Sequence, residues 1–213
     1  MPPRAILIDC DGVLADLENH HVAAWQRIVG TMGLPLDDQT AARLAEVDDH
    51  TFLTAFFEER NIPPDQVDTW VDRKRALVAE LLRSSPRLRP GALELVEALR
   101  GRARLALISG ASREEVEALL EGAGIADAFA AIIADEESDG RHPGPEAFKA
   151  ALGKLRLSLS SVAAIVGSAS SLSAARETGL RRVVAVGHHQ DTGDQVVVAA
   201  LTPVEDVLAE LGL

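Results

Sequence analysis

The sequence predicts an α/β protein: a doubly wound parallel sheet with a small helical domain inserted after its first strand. Three observations support this fold class. Short apolar runs that end in small or polar residues alternate with amphipathic stretches, as buried parallel strands alternate with helices. The first run ends at Ile8 and the second begins at Leu105, a gap far longer than one crossover helix needs. Much of that gap has apolar residues at helical spacing, which indicates a separate helical lobe.

Five apolar runs are predicted to form the strands of the sheet, and a short sixth run an edge strand. Each of the first five ends in a residue that carries chemistry or permits a sharp turn. In chain order the runs are 5–8 before Asp9, 105–108 before Ser109, 131–134 before Asp135, 162–166 before Gly167, 183–186 before Gly187, and 196–198. Open parallel sheets bind ligands beyond the carboxyl ends of their strands, so we expect the residues after the first four runs to converge there.

Two of the helices between the strands have recognisable starts. Ser112 and Glu115 have the spacing of a capping box, in which each side chain accepts a backbone N–H of the first turn. The segment 202–205 predicts a second helix start, with Thr202 before Pro203 and the proline at the first helical position.

The predicted domains are an α/β core of residues 1–14 and 86–213 and a helical insertion of residues 15–85. The insertion holds most of the aromatic residues of the chain, among them Trp25, Phe52 and Phe56. We expect these aromatic side chains to form the core of a small helical bundle.

Composition excludes several functional classes. The 33 acidic and 21 basic residues give a formal net charge of −12, and no basic stripe is interleaved with aromatic residues. A nucleic-acid or anionic-membrane partner is therefore not expected. Cys10 is the single cysteine, which excludes an intramolecular disulfide framework. No stretch approaches the ~20 apolar residues of a membrane span, and we expect a cytoplasmic protein.

Asp9 and Asp11 are the candidate catalytic residues. They follow the first strand directly, and residues two apart on a strand project toward the same side. Such a pair suits covalent phosphoryl transfer, with one carboxylate attacking phosphorus and the other moving a proton. Gly12 would let the chain turn sharply. The alternative is an ordinary Asp-Gly turn with a capping carboxylate.

With these residues in place, the chain resembles the phosphatases of the haloacid dehalogenase superfamily, close to the branch of β-phosphoglucomutase and phosphoglycolate phosphatase. The resemblance rests on segments 9–14, 107–111 and 135–148, and it runs nearly end to end. It implies a Rossmann-like core with a helical cap and an activity on small phosphorylated metabolites.

The resemblance also implies a role for individual residues. Asp9 would be the nucleophile and Asp11 the general acid and base. Ser109, with backbone N–H groups at Gly110, would bind the transferring phosphoryl group. His21 lies where this branch often has a cap histidine and is the candidate substrate contact. The implied cofactor is Mg²⁺, held by Asp9 and the backbone carbonyl of Asp11.

The third motif departs from the family pattern, which has a lysine directly before the proline that is Pro143 here. This chain has His142 at that position and Arg141 before it. Either residue is a candidate for phosphate binding in place of the lysine. A histidine with an ordinary pKa of ~6.5 is mostly neutral at pH 7. The alternative is that both face solvent in a loop.

The fourth motif departs further. Counting back from Gly179 places Gly167 and Ser171 where the family has the acids that complete its metal site. Because Mg²⁺ prefers carboxylate ligands, we expect a weak or absent site. The acidic run at 135–139 is an alternative source of a ligand. Aspartates introduced at positions 167 and 171 together are expected to raise the affinity for Mg²⁺.

These observations predict a phosphatase that hydrolyses a small phosphate monoester through an aspartyl-phosphate intermediate, with weak activity. The alternative is a catalytically silent relative that binds a phosphorylated ligand or a protein partner. Phosphomutase activity is less favoured, because Asp48 and Asp49 lie where an arginine that grips a second phosphate would be wanted. Neither the substrate nor the oligomeric state follows from the sequence.

Overall fold

The structure, a computed structural model, describes residues 1–34, 37, 40, 48–137, 143–187 and 196–213. These residues form two compact units, Met1–Asp16 with Pro86–Leu213, and Leu17–Ser85. We call the first the sheet unit and the second the helical unit. The helical unit is inserted in the chain between the first and second strands.

The sheet unit contains six strands in one sheet. They are β1 Ala5–Asp9, β2 Arg104–Ile108, β3 Phe129–Ile133, β4 Val162–Val166, β5 Val183–Val186 and β6 Val196–Val198. Their order is β3-β2-β1-β4-β5-β6, and every neighbouring pair is parallel. The direction of winding reverses between β1 and β4, where a doubly wound sheet opens its ligand crevice. The predicted fold class is confirmed.

Helices connect the strands and form the insertion. In the helical unit they are α1 Glu18–Thr31, α2 Asp49–Glu58 and α3 Val67–Ser84. In the sheet unit they are α4 Ala92–Leu99, α5 Arg113–Ala123, α6 Pro145–Leu155, α7 Ala169–Glu177 and α8 Val204–Leu211.

The third strand begins two residues earlier than the sequence predicts. Phe129 pairs with Leu105 across an irregularity in the register of β2. The strand ends at Ile133, one residue before the predicted end, because the chain enters a 3₁₀ turn at Asp135–Glu137. Both differences depend on pairing with a distant strand, which the local run of alanines does not reveal.

The central strands are buried along their whole length, as their continuous apolar runs predict. On one face of the sheet, Phe148 and Leu155 of α6 pack in a cluster with Leu7 of β1 and Val166 of β4. Burying a side chain of this size stabilises a fold by roughly 1.5 to 3 kcal/mol. This packing fixes the carboxyl ends of β1 and β4 side by side.

The aromatic residues of the insertion form the core of the helical unit, as predicted. Trp25 packs on Phe52 with ring centroids 5.5 Å apart, and Phe52 packs on Phe56 at 5.6 Å. All three side chains are buried, together with Phe57. Aromatic pairs at these separations add to the stabilisation from burial alone.

The two predicted helix starts have different outcomes. The capping box is confirmed: Ser112 Oγ accepts the Glu115 N–H, and Glu115 Oε2 accepts the Ser112 N–H at 3.2 Å. The start of α8 is one residue later than predicted. Pro203 is the N-cap rather than the first helical residue, because its ψ of 142° is extended.

We expect Ser112→Ala to lower the free energy of unfolding by about 1 kcal/mol, because the helix loses the acceptor of a first-turn N–H. Urea denaturation of the variant and wild type measures this change. Ser158→Ala is the matched control, since Ser158 precedes a 3₁₀ turn without capping it. An equal loss in both variants would contradict the contribution of the box.

Among the described residues, no helix is both long enough and apolar enough to cross a membrane.

Candidate functional site

Asp9 lies at the carboxyl end of β1 and next to the end of β4. Its side chain is buried, with 3% of the residue exposed. The Gly167 N–H donates to Asp9 Oδ2 at 3.2 Å, and the Ser171 side chain also hydrogen bonds to the carboxyl group. The residue at the first strand end and the loop after the fourth strand therefore meet, as the sequence predicts.

Burial raises the pKa of Asp9 from 3.8 to about 7, because a buried carboxylate loses its hydration. Hydrogen bonds from Ser171 and Gly167 act in the opposite direction, and the charge of Asp11 adds to the rise. Near neutral pH the carboxyl group therefore exists in both protonation states. An acid poised in this way is typical of functional sites, although structural networks produce it as well.

The chain turns sharply directly after Asp9. The Leu14 and Ala15 N–H groups donate to the Cys10 carbonyl at 2.9 and 3.0 Å, and Gly12 has a φ of +78°. A left-handed φ favours glycine, so the sharp turn expected at Gly12 is present. Asp11, on this turn, is half-buried.

The loop after β2 joins the same group of strand ends. Ser109 is fully buried, and its Oγ accepts the Ala111 N–H at 3.1 Å and hydrogen bonds to the Cys10 thiol. The Asp135 N–H donates to the Ala111 carbonyl at 3.0 Å, which links this loop to the end of β3. Gly110 is half-buried. The predicted convergence of the four strand ends is thus present.

The Cys10 thiol hydrogen bonds to Ser109 and lies near the carboxyl groups of Asp9 and Asp11. Burial raises its pKa, and the charges of Asp11 and Asp9 act in the same direction. A buried thiol that stays protonated is a poor nucleophile. The side chain therefore contributes to packing beneath the site.

Gly12 and Gly167 touch through their backbones. An ideal Cβ on Gly167 would lie 2.5 Å from the Asp11 carbonyl oxygen, and closer still to the Gly12 carbonyl carbon. An ideal Cβ on Gly12 would lie 2.6 Å from the Gly167 carbonyl oxygen. Both separations are below the 3.0 Å that Cβ atoms keep, so neither position accommodates a side chain unless the backbone moves.

The groups at these strand ends differ from the set of carboxylate ligands that Mg²⁺ prefers. Among the described residues, no group of three or more histidine, cysteine, aspartate or glutamate side chains is arranged to hold a metal ion. The Asp9 carboxyl group already accepts two neutral donors, and the backbone of Gly167 packs against the Asp11 carbonyl. That aspartates at positions 167 and 171 together raise the affinity for Mg²⁺ stays a prediction; a side chain at position 167 would require the backbone there to move.

The acidic run that begins at Asp135 makes other contacts. Glu136 accepts the Arg113 N–H at the start of α5, at 3.1 Å. Glu137 forms ion pairs with Arg113 and Lys154, at 2.8 and 2.7 Å. These carboxylates hold the loop to its neighbouring helices. Asp139 lies outside the described residues.

Two candidate phosphate-binding residues, Arg141 and His142, also lie outside the described residues. Their assignment stays a prediction from the sequence.

His21, the candidate substrate contact, belongs to a polar cluster inside the helical unit. The Lys74 Nζ contacts His21 Nδ1 and forms an ion pair with Asp49 Oδ2 at 2.7 Å. The Trp25 Nε1–H donates to Asp49 Oδ1 at 3.1 Å. The Lys74 side chain is 1% exposed, and that of Asp49 is 24% exposed.

Lys74 and Asp49 belong to this cluster, although no sequence motif points to either of them. A signal was present in the periodicity, because Lys74 continues the buried stripe of α3 that contains Val67, Val71 and Val78. A lysine in such a stripe needs a buried partner. The partner itself, 25 positions away, cannot be read from periodicity.

A cavity of about 550 Å³ lies elsewhere in the sheet unit, between α4 and α8. Its lining includes Glu94, Arg102, Glu205 and Leu208, and none of the candidate site residues. It is therefore separate from the strand ends.

The chain is similar in sequence or in structure to several known proteins. The chain is 26% identical over 212 residues to the phosphorylated carbohydrates phosphatase of Thermotoga maritima, covering 96% of each. It superposes with a TM-score of 0.82 on a candidate beta-phosphoglucomutase of Thermotoga maritima, at 23% identity over 97% of this chain and 99% of the other. CbbY from Rhodobacter sphaeroides, solved in complex with phosphate, gives 0.76 at 24% identity, covering 99% and 100%.

The haloacid dehalogenase-like hydrolase family matches residues 3–179, a range that includes Asp9, Asp11, Ser109 and Gly167. The superposed structures share the sheet and its helical insertion over nearly their whole length. This chain belongs to the haloacid dehalogenase-like hydrolase family.

Proposed function

We propose that this chain hydrolyses small phosphate monoesters slowly, with Asp9 as nucleophile. The observation that carries the proposal is the position of Asp9: a carboxyl group at the switch point of the sheet, with Gly167 N–H and Ser171 directed at it. A carboxylate placed there attacks a ligand bound beyond the strand ends.

In the proposed reaction, an Asp9 carboxylate oxygen attacks phosphorus and the bond from phosphorus to the ester oxygen breaks. Asp11 gives its proton to the departing oxygen. Water then attacks the aspartyl phosphate, Asp11 takes a proton from that water, and phosphate leaves with Asp9 regenerated. Besides the substrate and this water, each step uses only side chains of this chain.

The low rate has an electrostatic reason. An anionic carboxylate that approaches a phosphate dianion is repelled, and unit charges ~4 Å apart at an effective dielectric of 20 cost on the order of 4 kcal/mol. Such a cost slows a reaction by roughly a thousandfold. We propose that Mg²⁺ binds weakly or not at all here, so that this repulsion is not relieved by the metal.

The proposed substrates are phosphorylated sugars and similar small metabolites. Support comes from the Thermotoga maritima phosphatase, whose sequence aligns over 96% of this chain and whose named substrates are phosphorylated carbohydrates. The expected cytoplasmic location and the absence of nucleic-acid or membrane partners complete the proposal. His21, Arg141 and His142 are proposed to contact the substrate.

The test compares wild type with Asp9→Asn on sugar phosphates and p-nitrophenyl phosphate, each with 5 mM Mg²⁺ and with EDTA. We expect slow release of phosphate by wild type in both buffers and only background release by the variant. Asp206→Asn, which changes an exposed carboxylate on α8, is the control and should keep the wild-type rate. Equal rates for wild type and Asp9→Asn would exclude the enzyme.

A catalytically silent phosphate-binding protein is the second candidate function. The observation that favours it is the burial of the Ser109 hydroxyl, which already bonds to the Ala111 N–H and the Cys10 thiol. Titration with inorganic phosphate and with sugar phosphates, followed by calorimetry, tests it. Binding without turnover would support this function, and turnover that depends on Asp9 would exclude it.

A further inference from the structure

We propose that the loop after β4 is a closed clamp on Asp9 that takes the place of a metal site, and that Gly167 is indispensable to it because a side chain there would push the two loops apart. The clamp consists of Gly167, Ser168 and Ser171, and it holds Asp9 and the turn at Gly12. The proposal concerns how the site is built, and it stands whether or not the chain turns over a substrate.

The first supporting observation is that the backbones of Gly12 and Gly167 pack directly against each other. Gly12 and Gly167 exclude each other's Cβ, and the Gly167 position also lies against the Asp11 carbonyl. A carbonyl oxygen that ligates a cation needs free space on its outer side for the ion. Here the backbone of Gly167 lies beside that oxygen, so the space between the two loops is too small for a side-chain ligand from position 167.

The second supporting observation is the set of hydrogen bonds between the clamp and Asp9. Two neutral donors, the Gly167 N–H and the Ser171 hydroxyl, are directed at the Asp9 carboxyl group, so its oxygens are satisfied without a cation. Ser171 is 1% exposed, and its Oγ lies 3.0 Å from Ser168 Oγ, which also accepts the Ser171 N–H. The hydroxyl groups of Ser168 and Ser171 therefore contact each other inside the clamp.

The third supporting observation is the backbone conformation of Gly167. Gly167 does not have a left-handed φ, so its backbone conformation is open to other residues, and the missing space alone excludes a side chain. The cost of a substitution at Gly167 therefore measures the loop contact directly. At Gly12, by contrast, the left-handed φ would add its own cost.

The first experiment compares Gly167→Ala with Gly144→Ala by thermal unfolding. Gly144 is also a loop glycine at the start of a helix, with φ of −86°, and an ideal Cβ there meets nothing within 4 Å. We expect Gly167→Ala to lower the Tm by roughly 5 to 10 °C, or to fail to fold, and Gly144→Ala to change it by less than about 2 °C. Equal Tm values for Gly167→Ala and wild type would overturn the clamp.

The second experiment measures metal binding and needs no turnover. Wild type and Gly167→Asp are titrated with Mg²⁺ by calorimetry, and their Tm values are compared in EDTA and in 10 mM Mg²⁺. We expect no Mg²⁺ binding with a Kd below about 1 mM, and no rise in Tm on adding Mg²⁺, for either protein. A native protein that binds more tightly than this, or a Gly167→Asp variant that is as stable as wild type and gains Mg²⁺ binding, would overturn the proposal.

Discussion

Asp9→Asn is expected to stabilise the protein by about 4 kcal/mol more at pH 8 than at pH 4. The pKa of Asp9 is about 7 in the folded chain and close to 3.8 when the residue is exposed. Below pH 4 the carboxyl group is protonated in both states and costs nothing. Between pH 4 and 7 the unfolded chain loses this proton while the folded chain keeps it, so stability falls as pH rises. A pKa difference of this size corresponds to on the order of 4 kcal/mol.

Urea denaturation at pH 4, 6 and 8, in EDTA, measures this difference. The amide oxygen of an asparagine at this position is expected to accept the Gly167 N–H as Asp9 Oδ2 does, so the variant removes the titrating group and keeps this hydrogen bond. Asp206→Asn is the control. Because Asp206 is exposed, we expect its substitution to change the free energy of unfolding by the same small amount at all three pH values. A difference between Asp9→Asn and wild type that stays constant from pH 4 to pH 8 would contradict the raised pKa.

Asp49→Ala is expected to lower the free energy of unfolding by about 3 to 5 kcal/mol, the typical cost of removing one partner of a buried ion pair. Lys74 is fully buried, and its ion pair with Asp49 has a separation of 2.7 Å. The substitution leaves this ammonium group without an anionic partner in the pair. It also removes the acceptor of the Trp25 Nε1–H.

The double variant Asp49→Ala/Lys74→Met separates the ion pair from ordinary packing. Methionine fills most of the lysine volume without a charge, so the double variant should recover more than half of the loss. Asp72→Asn is the matched control, since its pair with Arg75 on α3 is exposed and has a separation of 3.7 Å. It should cause no measurable change. If the changes in the free energy of unfolding for Asp49→Ala and Lys74→Met, each measured alone, add up to that of the double variant, the two residues are not coupled.

The position of Asp9 at a strand end and the capping box at Ser112 could be predicted from the sequence alone. Asp9 follows an apolar run and precedes a glycine, and this local pattern places a carboxyl group at the end of a strand. Ser112 and Glu115 are three residues apart, so the capping box needs no information from elsewhere in the chain. Such features follow from periods and spacings within a few residues.

The state of the site depends on contacts that only the tertiary structure creates. Asp9 and Gly167 are 158 positions apart, and the burial that raises the pKa of Asp9 requires the whole sheet. The sequence places a glycine at position 167, whereas the fold shows that the Gly12 backbone fills the space that a side chain there would need. Likewise, Lys74 is visible on a buried stripe, but its partner Asp49 is not. Local patterns determine where side chains start; desolvation and excluded volume depend on neighbours that are close in space but distant in sequence.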